Sequence, residues 1–152
     1  MILTQILQPS CICAPLKSKD KESVIEELVT VLASAGQVKD ANAALEAVME
    51  REQTRSTGIG SGIAIPHGKC NAVKELVMAV GIAAQPIDFA SIDNKPVNIV
   101  VMLISPPDKT GPHIQALARI SRLLLDEQFK AKLEKATSPE EAYQLISAKE
   151  TE

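Results

Sequence analysis

Aromatic rings are scarce in this chain, which has two Phe and one Tyr among 152 residues. Nucleic acid is held by stacking bases on such rings along a basic groove. With 16 basic against 19 acidic residues and a formal net charge of −3, the chain offers no basic surplus either, so nucleic acid is not an expected partner. No apolar run approaches the roughly 18 residues of a membrane span, and no basic residue precedes Lys17. Neither membrane insertion nor a charged leader is expected, and the reading is a soluble, cytoplasmic protein. Cysteine is limited to Cys11, Cys13 and Cys70. This is an odd set whose first two members are too close to pair easily, and it reads as reduced thiols. A zinc site of Cys11, Cys13, His67 and Cys70 has the right ligand types but lacks the usual two-residue gap in its first pair; the reading is no metal. Acidic clusters suited to magnesium are missing, as are repeats and low-complexity tracts.

What is present centres on the stretch Ser56-Thr57-Gly58-Ile59-Gly60-Ser61-Gly62-Ile63-Ala64-Ile65-Pro66-His67-Gly68-Lys69, which contains one of only two histidines. Read as one extended strand, it puts Gly58, Gly60 and Gly62 on a bare face and Ile59, Ile63 and Ile65 on an apolar one. Pro66 cannot donate to a ladder, so the strand is expected to stop there and His67 to begin a turn at the solvent edge. A dinucleotide fingerprint fails because Ile63 stands where its third glycine belongs. A phosphate loop fails because Cys70 replaces its magnesium-binding hydroxyl and the spacing is one residue too long. The bland alternative is a glycine-rich strand and turn carrying an idle histidine.

The length fits one domain, 1–152. Residues 1–17, with Pro9 and Pro15, read as an irregular or short-strand lead-in. Helical spacing of Val24, Ile25, Leu28, Val31, Leu32 and Ala35 predicts a helix from Asp20 to Gly36. A second helix, capped by Asp40, buries Ala44, Leu45, Val48 and Met49 and finishes near Arg51, delivering that residue toward His67. Leu76–Ala84 and Val97–Ile104 read as buried strands, with a short strand at 87–89 and a turn at 93–95 between them. After the loop of Pro106, Pro107 and Gly111, a helix starts with Pro112 at its first position and has Ile114, Leu117, Ala118, Ser121, Leu124 and Leu125 along one face. A shorter helix follows Asp126, burying Phe129 and Leu133. The last is opened by a capping box of Ser138 and Glu141, and 149–152 form a frayed tail. The fold class expected is α/β: a single domain with a mixed sheet sandwiched by helices.

His113, in the first turn of the Pro112 helix, lies in positive potential that attracts an oxyanion and keeps the imidazole neutral. Its bland alternative is a solvated polar residue, and Arg51, Arg55 and Lys69 have the same one. Taken together, an imidazole nucleophile at His67, a second imidazole at a helix N-terminus and a guanidinium suit reversible phosphoryl transfer through phosphohistidine. One ring nitrogen attacks while an acceptor holds the proton on the other, and fixed donors stabilise the transferred charge.

Arg51-Glu52, Ser56 to Gly60 leading into Gly62-Ile63-Ala64-Ile65-Pro66-His67-Gly68, Ile87-Asp88-Phe89 to Pro96-Val97, and His113 together resemble the type 2 enzyme IIA family of the bacterial phosphoenolpyruvate-dependent phosphotransferase system, its fructose, mannitol and nitrogen-regulatory group. The resemblance covers nearly the whole chain. It implies that His67 is phosphorylated and that His113 and Arg51 flank it; Gly60, Ser61, Gly62, Gly68 and Lys69, on a segment bare enough for close approach, are read as the phosphoryl-binding or partner surface. It also implies phosphate arriving from an HPr-like carrier and leaving to an enzyme IIB, by docking and without nucleotide or other cofactor. Some mannitol-type members have a carboxylate where this chain has Ser61, which leans away from that branch. The reading is a free-standing domain with no IIB or IIC part, which would fit a sugar-specific component or a regulatory relay acting on other protein targets.

Overall fold

The computed structural model describes residues 2–151. After a short 3-10 turn (Leu3–Gln5) the order is β1 (Leu7–Cys13), α1 (Lys21–Ser34), α2 (Ala41–Thr54), β2 (Gly58–Gly60), β3 (Ile63–Ala64), β4 (His67–Lys69), β5 (Val77–Ile87), β6 (Val97–Ser105), α3 (Thr110–Leu124), α4 (Glu127–Glu134) and α5 (Pro139–Glu150). The strands form one mixed sheet in the order β1-β5-β6-β3-β2, with β4 also paired to β6. β5 and β6 are antiparallel, while β1 runs parallel to β5 and both β3 and β4 run parallel to β6.

β6 explains the layering. Successive residues of a strand point to opposite faces, and here both faces are apolar. Val100, Met102 and Ile104 join the core under α1 and α2, while Ile99 and Val101 join the one under α3, α4 and α5. Each aliphatic side chain fully buried in this way contributes about 1.5–3 kcal/mol. The expected α/β sandwich is the observed one. Its helix caps are largely those read from the sequence: Asp20, Asp40, Asp126 and Ser138 each accept an amide hydrogen at the helix start. The box at Ser138 is half formed, since the Glu141 carboxylate bonds the Thr137 amide one residue further out.

Of the two readings of the lead-in the strand is the observed one, as a seven-residue edge strand, β1. Other expectations are corrected. The tail at 149–150 is helical, and the Glu150 carboxylate accepts the amides of Leu3 and Thr4 and pairs with Arg119. α2 continues past Arg51 to Thr54. The segment at 87–89 is no separate strand, since β5 runs through to Ile87. α3 begins at Thr110, two residues before Pro112, and its buried stripe is His113, Ala116, Ile120 and Leu124, leaving Ile114 60% exposed.

The glycine stretch is not one strand. β2 and β3 are an antiparallel hairpin whose tip, Gly60-Ser61-Gly62, has positive φ at all three residues; that conformation is what its two glycines supply. Ile59 is therefore exposed while Ile63 and Ile65 are buried. Beyond the hairpin, Pro66 interrupts the ladder without ending it. Ile63 faces Ile99, Ala64 Val100, His67 Leu103, Gly68 Ile104 and Lys69 Ser105, so β3 and β4 share one offset along β6. Although Pro66 has no amide hydrogen to give, its carbonyl accepts the Leu103 amide at 3.0 Å. His67 accordingly opens a strand, not a turn.

Candidate active site around His67 and His113

β4 pairs only with β6 among the described residues, so its outer side is a sheet edge where the two helical layers can both reach. From one layer comes α2. Gly68 is buried against it: a Cβ there would stand 3.0 Å from the carbonyl carbon of Ala47 and the amide nitrogen of Val48. The bare α-carbon is what lets the helix lie this close, and it brings Arg51 from the last turn of α2 into the cavity that His67 lines. From the other layer comes α3, which carries His113. The two imidazole centroids are 5.5 Å apart, edge to face with 61° between the planes.

The hydrogen bonds assign atoms to roles. His67 Nδ1 lies 2.7 Å from the carbonyl oxygen of Ile65. A carbonyl only accepts, so Nδ1 carries the proton and, in the neutral ring, Nε2 keeps its lone pair. Burial pushes the His67 pKa down, opposed by the bond to Ile65; Arg51 and Lys69 lower it further and Glu52 raises it. His113 is 4% exposed, not a solvated first-turn residue. Burial first, then His67 and then Lys69 push its pKa down to about 4, so it is neutral at pH 7, with burial as the main cause where the sequence pointed to the helix N-terminus. Its Nδ1 forms a short hydrogen bond with Ser105 Oγ.

The helix N-terminus offers less than expected. Pro112 has no amide hydrogen and the His113 amide already bonds the Lys109 carbonyl at 3.0 Å, which leaves Thr110 and Gly111 as the unpaired donors of the first turn. Lys69 is exposed and reaches that turn, with Nζ 3.3 Å from Thr110 Oγ1.

A cavity of about 310 Å³ opens beside His67, lined on its polar side by Arg51, Arg55, Ser56 and Ser121. Arg51 Nη1 donates to the Arg55 carbonyl at 2.8 Å, which fixes the guanidinium while leaving further N–H groups for a ligand. Ile59 and Ile92, 47% and 58% exposed, form an apolar rim. Gly60, Ser61 and Gly62 do not line this cavity. Their tip is held by Asp93, which accepts the Ser61 amide, and by Lys130, which donates to the Ser61 carbonyl. Even β3, on the near side of that tip, begins four positions before His67, about 13 Å along an extended chain. Gly68 is a packing residue. The zinc alternative is not assembled: β1 with Cys11 and Cys13 is separated from β4 by β5 and β6, about 14 Å at strand spacing. Among the described residues no cluster of His, Cys, Asp and Glu is disposed to hold a metal.

Sequence reasoning missed the Ile65 carbonyl and Ser105, whose positions depend on the β4–β6 register and leave no local signal. It also gave Glu52 no role. That residue did leave a signal, because Ala44, Val48 and Glu52 recur every four positions and are the buried residues of α2; a carboxylate in phase with an apolar stripe needs partners.

The family profile described as "Phosphoenolpyruvate-dependent sugar phosphotransferase system, EIIA 2" matches residues 5–149. The chain belongs to this family. Relatives of this EIIA type 2 chain include the fructose-specific EIIABC component of Bacillus subtilis, 38% identical over 97% of this chain and 23% of that protein, so the chain spans less than a quarter of it. The fructose-specific EIIA component of Haloferax volcanii is 38% identical over 84% of this chain and 82% of its own length. Among solved structures, the nitrogen regulatory protein IIA-Ntr of Neisseria meningitidis superposes with a TM-score of 0.87 at 28% identity, covering 95% of this chain and 98% of that one. No helix among the described residues is long and apolar enough to cross a membrane.

Proposed function

We propose that the chain is a phosphocarrier in which His67 Nε2 takes a phosphoryl group from the phosphohistidine of an HPr-like protein and passes it to an enzyme IIB. The observation that carries this reading is the His67 Nδ1 proton held on the Ile65 carbonyl at 2.7 Å, which leaves Nε2 as the nucleophile. As the Nε2–P bond forms, the donor's P–N bond breaks and its imidazole leaves with the electron pair. His67 keeps its Nδ1 proton throughout, and the ring's developing positive charge is met by that carbonyl.

The transferred group carries its negative charge on three oxygens. Arg51 faces them with a fork of N–H donors, Lys69 adds a cation, and His113 donates from Nε2 when Ser105 supplies the hydrogen to its Nδ1. A neutral second histidine suits this task, since its Nε2–H is a fixed donor to the phosphoryl oxygens and its low basicity means that it neither gains nor loses a proton near pH 7. The exposed Ile59 and Ile92 beside the cavity suit docking of a protein donor. A second reading, a regulatory relay whose phosphorylation controls binding to other proteins, is favoured by the likeness to IIA-Ntr over nearly the whole of both chains.

Incubation with phosphoenolpyruvate, enzyme I and HPr tests the reading. It should add one phosphate, stable in base and labile in acid as a phosphoramidate is, with the 15N signature of Nε2 substitution on His67. Label that persists undiminished in His67→Ala would overturn it. Chasing the labelled protein with an enzyme IIB separates the two branches: rapid transfer marks a transport component, and retention of the label marks a relay.

A further inference from the structure

A buried carboxylate at the end of α2 lies outside the phosphoryl-contact set. Glu52 is 6% exposed, and both its carboxylate oxygens accept the Thr57 amide, at 3.0 and 2.9 Å, while Oε1 also accepts the Thr57 hydroxyl at 3.0 Å. Lys21, from the first turn of α1, closes the cluster with Nζ 3.1 Å from Oε1. Burying a carboxylate costs several kcal/mol unless it is paired and bonded, and here every partner but the lysine belongs to one residue of the stretch after α2.

Thr57 is the next link. Its carbonyl accepts the Ile65 amide at 3.0 Å, and the Ile65 carbonyl accepts the His67 Nδ1 proton at 2.7 Å. The same segment is tied from a second side: Ser56 Oγ donates to the Phe89 carbonyl at 2.8 Å and accepts the Gly58 amide at 3.1 Å. Lys21 also donates to that carbonyl, at 3.3 Å. Thr57 is therefore clamped, and whatever holds Thr57 holds the carbonyl that fixes the ring of His67.

We infer that Glu52 is a positioning residue for phosphoryl transfer, acting through Thr57 and the Ile65 carbonyl to set the orientation and proton-bearing nitrogen of His67. This rests on His67 being the phosphoryl acceptor. Attack in line with the donor's P–N bond tolerates little error, and a displacement of about 1 Å from a distant change costs a rate factor on the order of a hundred. A carboxylate that only stabilised α1 against α2 would have no reason to bond Thr57 three times, and its removal would lower stability without changing the state of His67.

The test compares wild type, Glu52→Gln and Glu52→Asp. In the unphosphorylated proteins, 15N spectra of the His67 ring report which nitrogen carries the proton, and exchange broadening of its Nδ1–H reports how firmly that proton is held. Glu52→Gln should show a tautomer mixture and faster exchange, together with phosphoryl transfer from HPr slowed roughly tenfold to a hundredfold in kcat at little changed KM. Glu52→Asp keeps the charge for Lys21 but sets the carboxylate back by one methylene, and it should fall between the two. If Glu52→Gln does not fold, Glu52→Asp carries the test alone with the same two readouts. Wild-type ring spectra and wild-type kcat in a folded variant would overturn the inference. The spectral arm needs no phosphate donor, so failure of wild-type labelling would sink the phosphocarrier reading and leave this comparison readable.

Discussion

In the proposed transfer His67 and His113 have different tasks, and their variants should behave differently. His67 is half-buried and bonded to a carbonyl, so His67→Ala should abolish labelling at a stability cost of about 1 kcal/mol. His113→Ala should still accept phosphate but exchange it slowly. Loss of one preorganised donor costs on the order of 2.7 to 4 kcal/mol, a factor of roughly a hundred to a thousand in rate. Arg51→Ala should act in the same direction, and Arg51→Lys should recover part of the loss because a point charge cannot reproduce a fork of donors. Quenched mixing with the carrier in both directions measures this; unchanged rates in His113→Ala would reduce that histidine to a core residue. At this scale His67, His113 and Arg51 were legible as rare or well-placed side chains. Ser105 and the Ile65 carbonyl were not, because hydroxyls and main-chain oxygens are everywhere in a sequence and only the register selects one.

At the scale of elements, the site depends on how closely α2 lies on β4. Gly68→Ala would put a methyl group 3.0 Å from main-chain atoms of Ala47 and Val48, which cannot rotate away as a flexible side chain would. The helix must back off by tenths of an ångström, and Arg51 moves with it. We expect a loss of about 1–3 kcal/mol in urea unfolding, accompanied by slower labelling of His67. Unaltered stability and labelling would mean that the layer yields freely. Strands β5 and β6 and the helix caps could be read in advance because continuous apolar runs and capping aspartates are local signals. The phase of α3 could not: Ile114 and Leu125 are apolar yet exposed, and counting them as core turned the buried stripe away from His113, which a polarity rule puts outside. The hairpin was missed for a related reason, since alternating glycines fit an extended strand as well as a turn with positive φ.

For the molecule as a whole, the two depressed imidazoles make stability depend on pH. An unfolded His binds its proton near pH 6.5, while folded His113 resists until about 4. Between those values the unfolded chain holds more protons, so stability falls as pH drops through the window, and it is fully present above about 6.5. His113 alone accounts for roughly 3 kcal/mol of that loss, and His67, shifted in the same direction, adds to it. Urea unfolding at intervals from pH 7 to 4 should show this slope in wild type and a flatter one in His113→Asn; equal slopes would place the acid sensitivity elsewhere. The sandwich architecture was legible from the pattern of elements, and the resemblance already put Arg51 and His113 beside His67; the sheet edge on which both helical layers meet was not legible, because it follows from long-range pairing.

The shared offset of β3 and β4 along β6 also restricts how the chain could change in length. Ile63, Ile65 and His67 occupy alternate positions, and the first two are packed beneath α3, α4 and α5. One residue inserted between Ala64 and Pro66 would, if the hairpin stayed in place, reverse the parity of everything after it. The imidazole would emerge among the side chains under α1 and α2, away from its partner histidine, and Gly68 would no longer face Ala47. Two residues inserted as an outward bulge would restore the alternation. A single insertion here therefore keeps the imidazole beside His113 only if a bulge absorbs it.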